Sequence, residues 1–286
     1  MRSSMVLIRG GLGNQMFQVA CGLVLAQRYG VAVRHVDFST DARVGREWGL
    51  SVFGVEREVI GPARWLALRY AVMAGRRLQR TLGWQRPLGM WLEPLDGSVA
   101  QWPERAPWLA DGYWQKAEFY LRHQEALRQR FRVELGARAS QVDALRAQGR
   151  PLVAMHARRG DYVSDPAAAM HLVCDVGYYR RGWEQLQQRL NQPQLLVFSD
   201  DPDWARVHLS FAPDTQFAQA EPGQPAWVDM MCMSRSDHFV ISNSSYSWWA
   251  AFLANSPGKQ VVAPDHWLVG QPTAPLGVCP PDWQLI

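Results

Sequence analysis

The stretch His156-Ala157-Arg158-Arg159-Gly160-Asp161-Tyr162 gathers two guanidiniums, an imidazole and a carboxylate directly behind an apolar run. Such a cluster suits an anion. One guanidinium can fork onto a phosphate while the other is held by a carboxylate such as Asp161. The plainer reading is an ion-pair cluster at a strand end. A second stretch, Gly10-Gly11-Leu12-Gly13-Asn14-Gln15, lies between a strand-like and a helix-like segment. Its backbone N–H groups would face an anion at a helix N-terminus, unless the glycines serve the turn alone.

Three further groups bear on the chemistry. Ser242-Asn243-Ser244-Ser245-Tyr246-Ser247 is a hydroxyl-rich turn, readable as a helix cap or as a phosphate and base cradle. Trp248-Trp249 behind it reads as core. Asp229 is either a solvated carboxylate or an acceptor for the N–H edge of a guanine. Asp201-Pro202-Asp203 is formally a metal-binding D-x-D, but an Asp cap followed by Pro in the first helical turn explains it more simply. No metal site is expected, and the seven histidines do not cluster at metal-ligand spacing. Gly11-x-Gly13 with Asp37 after the next strand suggests a dinucleotide fingerprint, and hence a nucleotide-dependent oxidoreductase. Met16 stands where that fingerprint needs a small residue.

These groups need elements to position them. Leu152–His156, Leu195–Ser199, His238–Ser242 and Gln260–Ala263 are apolar runs of strand length. They alternate with helical stretches over Tyr178–Leu190, Asp203–His208, Trp227–Arg235 and Tyr246–Asn255. Apolar strands alternating with helices predict an α/β fold with a parallel sheet covered on both faces. Each strand runs out into polar residues, so the chemistry collects at the carboxyl edge, where open α/β sheets bind ligands. The first half opens alike, with strands at Val6–Ile8 and Val31–Val36 around a helix from Asn14 to Tyr29 that Gly30 ends. Helices are also expected over Lys116–Phe131 and Ser140–Gln148. Residues 54–110 give no clear pattern. Gly149-Arg150-Pro151 marks the expected boundary between domains 1–149 and 150–286, with the tail free to pack back on the first.

Composition limits the rest. The chain has 286 residues, 48% hydrophobic and 20% charged, which is ordinary globular usage. No run approaches the ~18 apolar residues of a membrane span. A net charge of +4 is too mild to call for nucleic acid. Four scattered cysteines and no recognisable leader lead us to expect reduced thiols and a cytoplasmic protein. Between Val59 and Leu92 there are six arginines and no acid, interleaved with apolar residues. That segment 59–92 would suit either packing inside the first domain or peripheral contact with an anionic inner-membrane face.

Several motifs together resemble glycosyltransferase family 11, the α-1,2-fucosyltransferases, in its bacterial branch. They are Gly10–Gln18, His156–Val163, His171–Tyr179, Phe198–Asp201 and Ile241–Ala251. The resemblance implies a GT-B-like fold of two facing Rossmann-like domains with parallel sheets. The N-terminal domain would take the acceptor side and the C-terminal one GDP-fucose. It implies inverting, metal-independent transfer of fucose from GDP-β-L-fucose to the 2-hydroxyl of a galactose-terminated acceptor, as in O-antigen synthesis, with no cofactor. By the same resemblance Arg158 binds the β-phosphate. Gly13, Asn14 and Gln15 reach the donor, and His156, Asn243, Ser244, Ser245, Tyr246 and Asp229 complete its site. Asp161 and His171 are the candidates for the base. A non-catalytic nucleotide- or glycan-binding module is the other class that the residues leave open.

Overall fold

The computed structural model describes residues 3–39, 48–84, 86–94, 101–160, 171, 174–219, 221 and 223–286. The chain divides into two compact units, Met1–Phe131 and Arg132–Ile286. Both are α/β, and in both the main sheet is wholly parallel. The composition expected for a GT-B-like chain, two Rossmann-like units with parallel sheets, is therefore present.

The first unit contains β1 (Ser3–Ile8), α1 (Leu12–Tyr29), β2 (Ala32–Asp37), α2 (Pro62–Leu82), β3 (Met90–Leu92), β4 (Leu109–Asp111) and α3 (Gln124–Arg130). Its strands are ordered β2-β1-β4-β3. Helix α1 stops where Gly30 takes the left-handed conformation at φ 62° and returns its N–H to Ala26. The sequence predicts one helix over Lys116–Phe131, whereas the chain makes two short 3-10 turns before α3. Tyr120 is the cause. It is fully buried, and its hydroxyl donates to the Trp114 carbonyl at 2.7 Å, which turns the chain inward where a regular helix would carry it past.

The second unit contains α4 (Ser140–Arg146), β5 (Leu152–Ala157), α5 (Val176–Arg189), β6 (Gln194–Ser199), α6 (Pro202–His208), β7 (Gln216–Phe217), α7 (Ala226–Met233) and β8 (His238–Val240). It continues with α8 (Ser245–Leu253), β9 (Val261–Ala263), the hairpin strands β10 (His266–Leu268) and β11 (Gln271–Pro272), α9 (Thr273–Leu276) and β12 (Gln284–Leu285). The sheet order is β12-β9-β8-β5-β6-β7. Every residue of β5 is buried, as a central parallel strand covered on both faces requires.

The division between units falls at Phe131, earlier than the Gly149-Arg150-Pro151 punctuation. Helix α4 goes with the second unit because Gln194 donates to the Leu145 carbonyl at 2.9 Å and Gln141 to that of Phe217 at 2.9 Å. The tail pairs within this unit. Strand β12 pairs with β9, and Trp283 packs against Trp248. No described helix is long and apolar enough to cross a membrane.

Candidate active site

In the second unit the chain passes from β5 to β6 on one side and later returns with β8 on the other. The crevice at the carboxyl ends of β5 and β8 is thus a topological switch point, the place where open parallel sheets take ligands. His156 of β5 and Ser242 after β8 span it, with Nδ1 and Oγ 3.0 Å apart. His156 is buried, and that burial pulls its pKa down to about 4, the Asp200 charge opposing and the Arg158 charge assisting. The imidazole is therefore neutral at pH 7 and joins the two strand ends.

The next residues divide the labour. Strands β5 and β6 pair Ala157 with Ser199, so Arg158 and Asp200 come level. The Arg158 guanidinium Nη1 lies 2.8 Å from Asp200 Oδ2, and the Arg159 backbone N–H donates to Asp200 Oδ1 at 2.8 Å. One carboxylate thus fixes both the side chain of Arg158 and the path of the backbone after it. Gly160 allows this approach, since a Cβ there would lie 2.7 Å from Asp200 Oδ2. The Arg158 side chain keeps 32% exposure, so the guanidinium is held and still reaches solvent. Arg159 turns away. Its guanidinium stacks on Trp204 at 3.9 Å from the ring centroid and pairs with Asp201 at 3.3 Å.

The serine turn supplies the other wall. Ser244 caps α8, its hydroxyl accepting from the Tyr246 N–H at 3.3 Å. Ser245 and Tyr246 are half-buried, and the Tyr246 ring lies 5.3 Å from that of His156 while its hydroxyl donates to the Ala226 carbonyl. Trp248 and Trp249 are fully buried, core residues as expected. Asn243 is buried, and its amide donates to the carbonyls of His171 and Trp267 at 2.8 and 2.9 Å. That pins the His171 backbone to the turn. Asp229, on α7, accepts from Gln224 at 2.7 Å, and burial raises its carboxyl pKa. Asp161 lies outside the described residues.

The first unit has its own switch point, between β1 and β4. Gly10 sits there at φ 82°, where a Cβ would lie 3.0 Å from Asn14 Nδ2 and 3.4 Å from the Tyr113 ring. Gly11 precedes α1 with no side-chain cap, and Gly13 is buried in its first turn. The Asn14 amide oxygen accepts from Gln115 at 2.7 Å. Gln15 faces inward, donating to the Gly10 carbonyl at 2.9 Å and accepting from the Gly49 N–H at 3.1 Å. Met16 is fully buried, and Asp37 is engaged by Ser39 and Arg57. The buried Met16 thus fills the place where a dinucleotide fingerprint needs a small residue for close helix–strand packing. A separate cleft of about 330 Å³, lined by Leu23, Val24, Gln27 and Leu127 among others, carries none of the expected site residues.

The residue that sequence reading missed as the partner of Arg158 is Asp200. Its signal was Phe198-Ser199-Asp200-Asp201 at the end of a strand expected in the same sheet, but which strand neighbours which is not written in the motif.

The model of the family described as Glycosyl transferase family 11 matches residues 92–268. The chain belongs to glycosyl transferase family 11. All of the switch-point residues of the second unit fall inside that match. Among its relatives is the Alpha-1,2-colitosyltransferase of Escherichia coli, 34% identical over 179 residues, covering 60% of this chain and 60% of that protein. The O-antigen biosynthesis glycosyltransferase WbnK of Escherichia coli is 33% identical over 117 residues, 41% of this chain and 39% of that protein. Galactoside 2-alpha-L-fucosyltransferase Sec1 of Mus musculus is 33% identical over 110 residues, 37% and 30% respectively. The matched stretches thus span 60% or less of these relatives. Among solved structures, fucosyltransferase NodZ from Bradyrhizobium aligns with a TM-score of 0.49 at 16% identity, covering 88% of this chain and 93% of that one.

Proposed function

We propose that this family 11 member moves L-fucose from GDP-β-L-fucose to the 2-hydroxyl of a galactoside, with inversion, in the assembly of a surface polysaccharide. The observation that carries the reading is the Arg158–Asp200 pair at the β5–β8 switch point. In the reaction the acceptor oxygen attacks the anomeric carbon, the bond to the β-phosphate oxygen breaks, and GDP departs with the electron pair. The cost lies in the charge that grows on the diphosphate. A guanidinium already fixed by Asp200 can stabilise that charge without reorganising, the role a metal ion plays in other transferases. Arg158 is assigned this task, and no metal is assigned.

The remaining roles follow from placement. Ser244, Ser245 and Tyr246 offer hydroxyl and backbone groups at the start of α8, and Asp229 offers a carboxylate to the base. His156 and Asn243 act as positioning residues, since their side chains are spent on Ser242, His171 and Trp267. Gln15 has the same character in the first unit, where it braces the glycine turn that presents Gly13 and Asn14. The acceptor proton goes to a base for which Asp161 and His171 are the candidates.

A second reading has its own support in the 34% identity to a colitosyltransferase. Colitose is L-fucose without the 3-hydroxyl, and the same Arg158 chemistry would serve either donor. The test is incubation with GDP-fucose or GDP-colitose and lactose, following GDP release and the linkage of the product. Faster release with GDP-fucose and an α-1,2 product support the proposal. Preference for GDP-colitose transfers it to the second reading, and no release with any galactoside overturns both. Stabilisation by GDP but not by NAD is expected in a melting assay, and the reverse would restore the oxidoreductase.

A further inference from the structure

Helix α2 has two faces of opposite character. Leu68, Val72 and Gly75 are buried against the first unit's sheet, and Arg76 turns inward to Asp111 at 2.8 Å. On the other side Leu66, Tyr70 and Met73 are 45%, 62% and 54% exposed. Their i, i+4, i+7 spacing sets them in one row, and Arg77 extends it. Arg69 and Arg80 flank that row and are likewise exposed. Past the helix, Trp84 and Leu88 are exposed as well. Residues 59–92 contain no acid, and Arg77 and Arg80 have no ion-pair partner among the described residues.

We infer that this outer face of α2 docks on an anionic lipid bilayer. Exposed apolar side chains in a contiguous row mark an interaction surface rather than ordinary solvated helix. The surrounding charge selects the partner. A second copy would set arginine against arginine, and nucleic acid would use the guanidiniums but leave Leu66 and Met73 in water. A bilayer takes both sets at once. Leu66 and Met73 enter the acyl boundary, Tyr70 and Trp84 sit at headgroup depth, and the guanidiniums meet lipid phosphates. The inference does not depend on which sugar the enzyme transfers.

The test is flotation of the full chain with vesicles of phosphatidylcholine alone, or of phosphatidylcholine and phosphatidylglycerol in equal parts. Binding is expected only to the second kind, weakening as salt is raised. Arg77→Glu with Arg80→Glu should weaken it by about tenfold or more, and Leu66→Ser with Met73→Ser should weaken it with little change in salt dependence. All four residues are exposed, and unchanged melting temperatures confirm that the variants fold. No binding to anionic vesicles, or equal binding by wild type and both variants, overturns the inference. So does a dimer in sedimentation that Leu66→Ser with Met73→Ser dissolves, which would make a second copy the occupant.

Discussion

Arg158 and Asp200 meet across the parallel pair β5–β6, guanidinium Nη1 to carboxylate Oδ2 at 2.8 Å, while the other carboxylate oxygen holds the Arg159 backbone N–H. Asp200 therefore sets the geometry of the guanidinium it pairs with. Asp200→Asn keeps the shape and removes the charge-assisted contacts. Since a hydrogen bond to a charged group contributes about 1.5–3 kcal/mol, kcat/KM should fall roughly 10- to 100-fold. Gly160→Ala, which would thrust a Cβ to 2.7 Å from Asp200 Oδ2, should lose activity in the same direction. The double variant should lose little more than the worse single one, because both act on one carboxylate. Additive losses would show that they act separately.

The two adjacent arginines should separate cleanly. Arg158→Ala should lower kcat by about two to three orders of magnitude with the fold intact, and Arg158→Lys should not restore it, because an ammonium cannot present the planar fork. Arg159→Ala removes a stack on Trp204 and a part-buried pair with Asp201. It should cost about 1–2 kcal/mol of stability in a denaturant titration while turnover stays within a few-fold of wild type. Near-normal turnover by Arg158→Ala would refute its role.

Asp201 and Asp203 do not converge on a common point. Asp201 caps α6 by accepting from Trp204 and pairs with Arg159, whereas Asp203, 95% exposed, pairs with Arg206. EDTA should leave the transfer rate unchanged, and Asp203→Ala should match wild type. Inactivation by EDTA with rescue by Mn²⁺ would return the D-x-D to consideration.

Acid should destabilise the chain early. Burial lowers both His35 and His156 from the ordinary 6.5 to about 4. The unfolded chain thus binds protons that the folded chain refuses. This contribution to stability is complete above about pH 6.5 and is lost as pH falls towards 4. His35 Nε2 is buried with no hydrogen-bond partner, so His35→Leu deletes one of the two titrations without breaking a bond. The melting temperature should fall between pH 7 and pH 5, and fall less steeply in His35→Leu. Equal slopes would refute the assignment.

The second unit was legible because β5 and β6 are long, uninterrupted apolar runs, each followed by polar residues. Strands β3 and β4 are not, since three residues each carry no measurable period, and α2 is legible as an amphipathic basic helix within 59–92 but without its ends. Tyr120 breaks a helix for a reason that lies in its tertiary partners. The site shows the same limit. Arg158 and the serine turn announce themselves by type, but the brace on Arg158 comes from a neighbouring strand, and Asp161 lies outside the described residues. Asn243, His156 and Gln15 could be named but not given their tasks, because an amide that pins a loop and one that grips a ligand look alike in a string of letters.

Trp248 and Trp249 leave α8 little freedom. One stacks on Phe252 at 4.6 Å, and its indole N–H donates to the Val278 carbonyl at 2.8 Å. The end of that helix is thereby anchored from behind, with its entropy already spent during folding. A ligand arriving at Ser244 and Ser245 would meet a wall that does not need to be assembled, and more of the contact energy would remain as affinity.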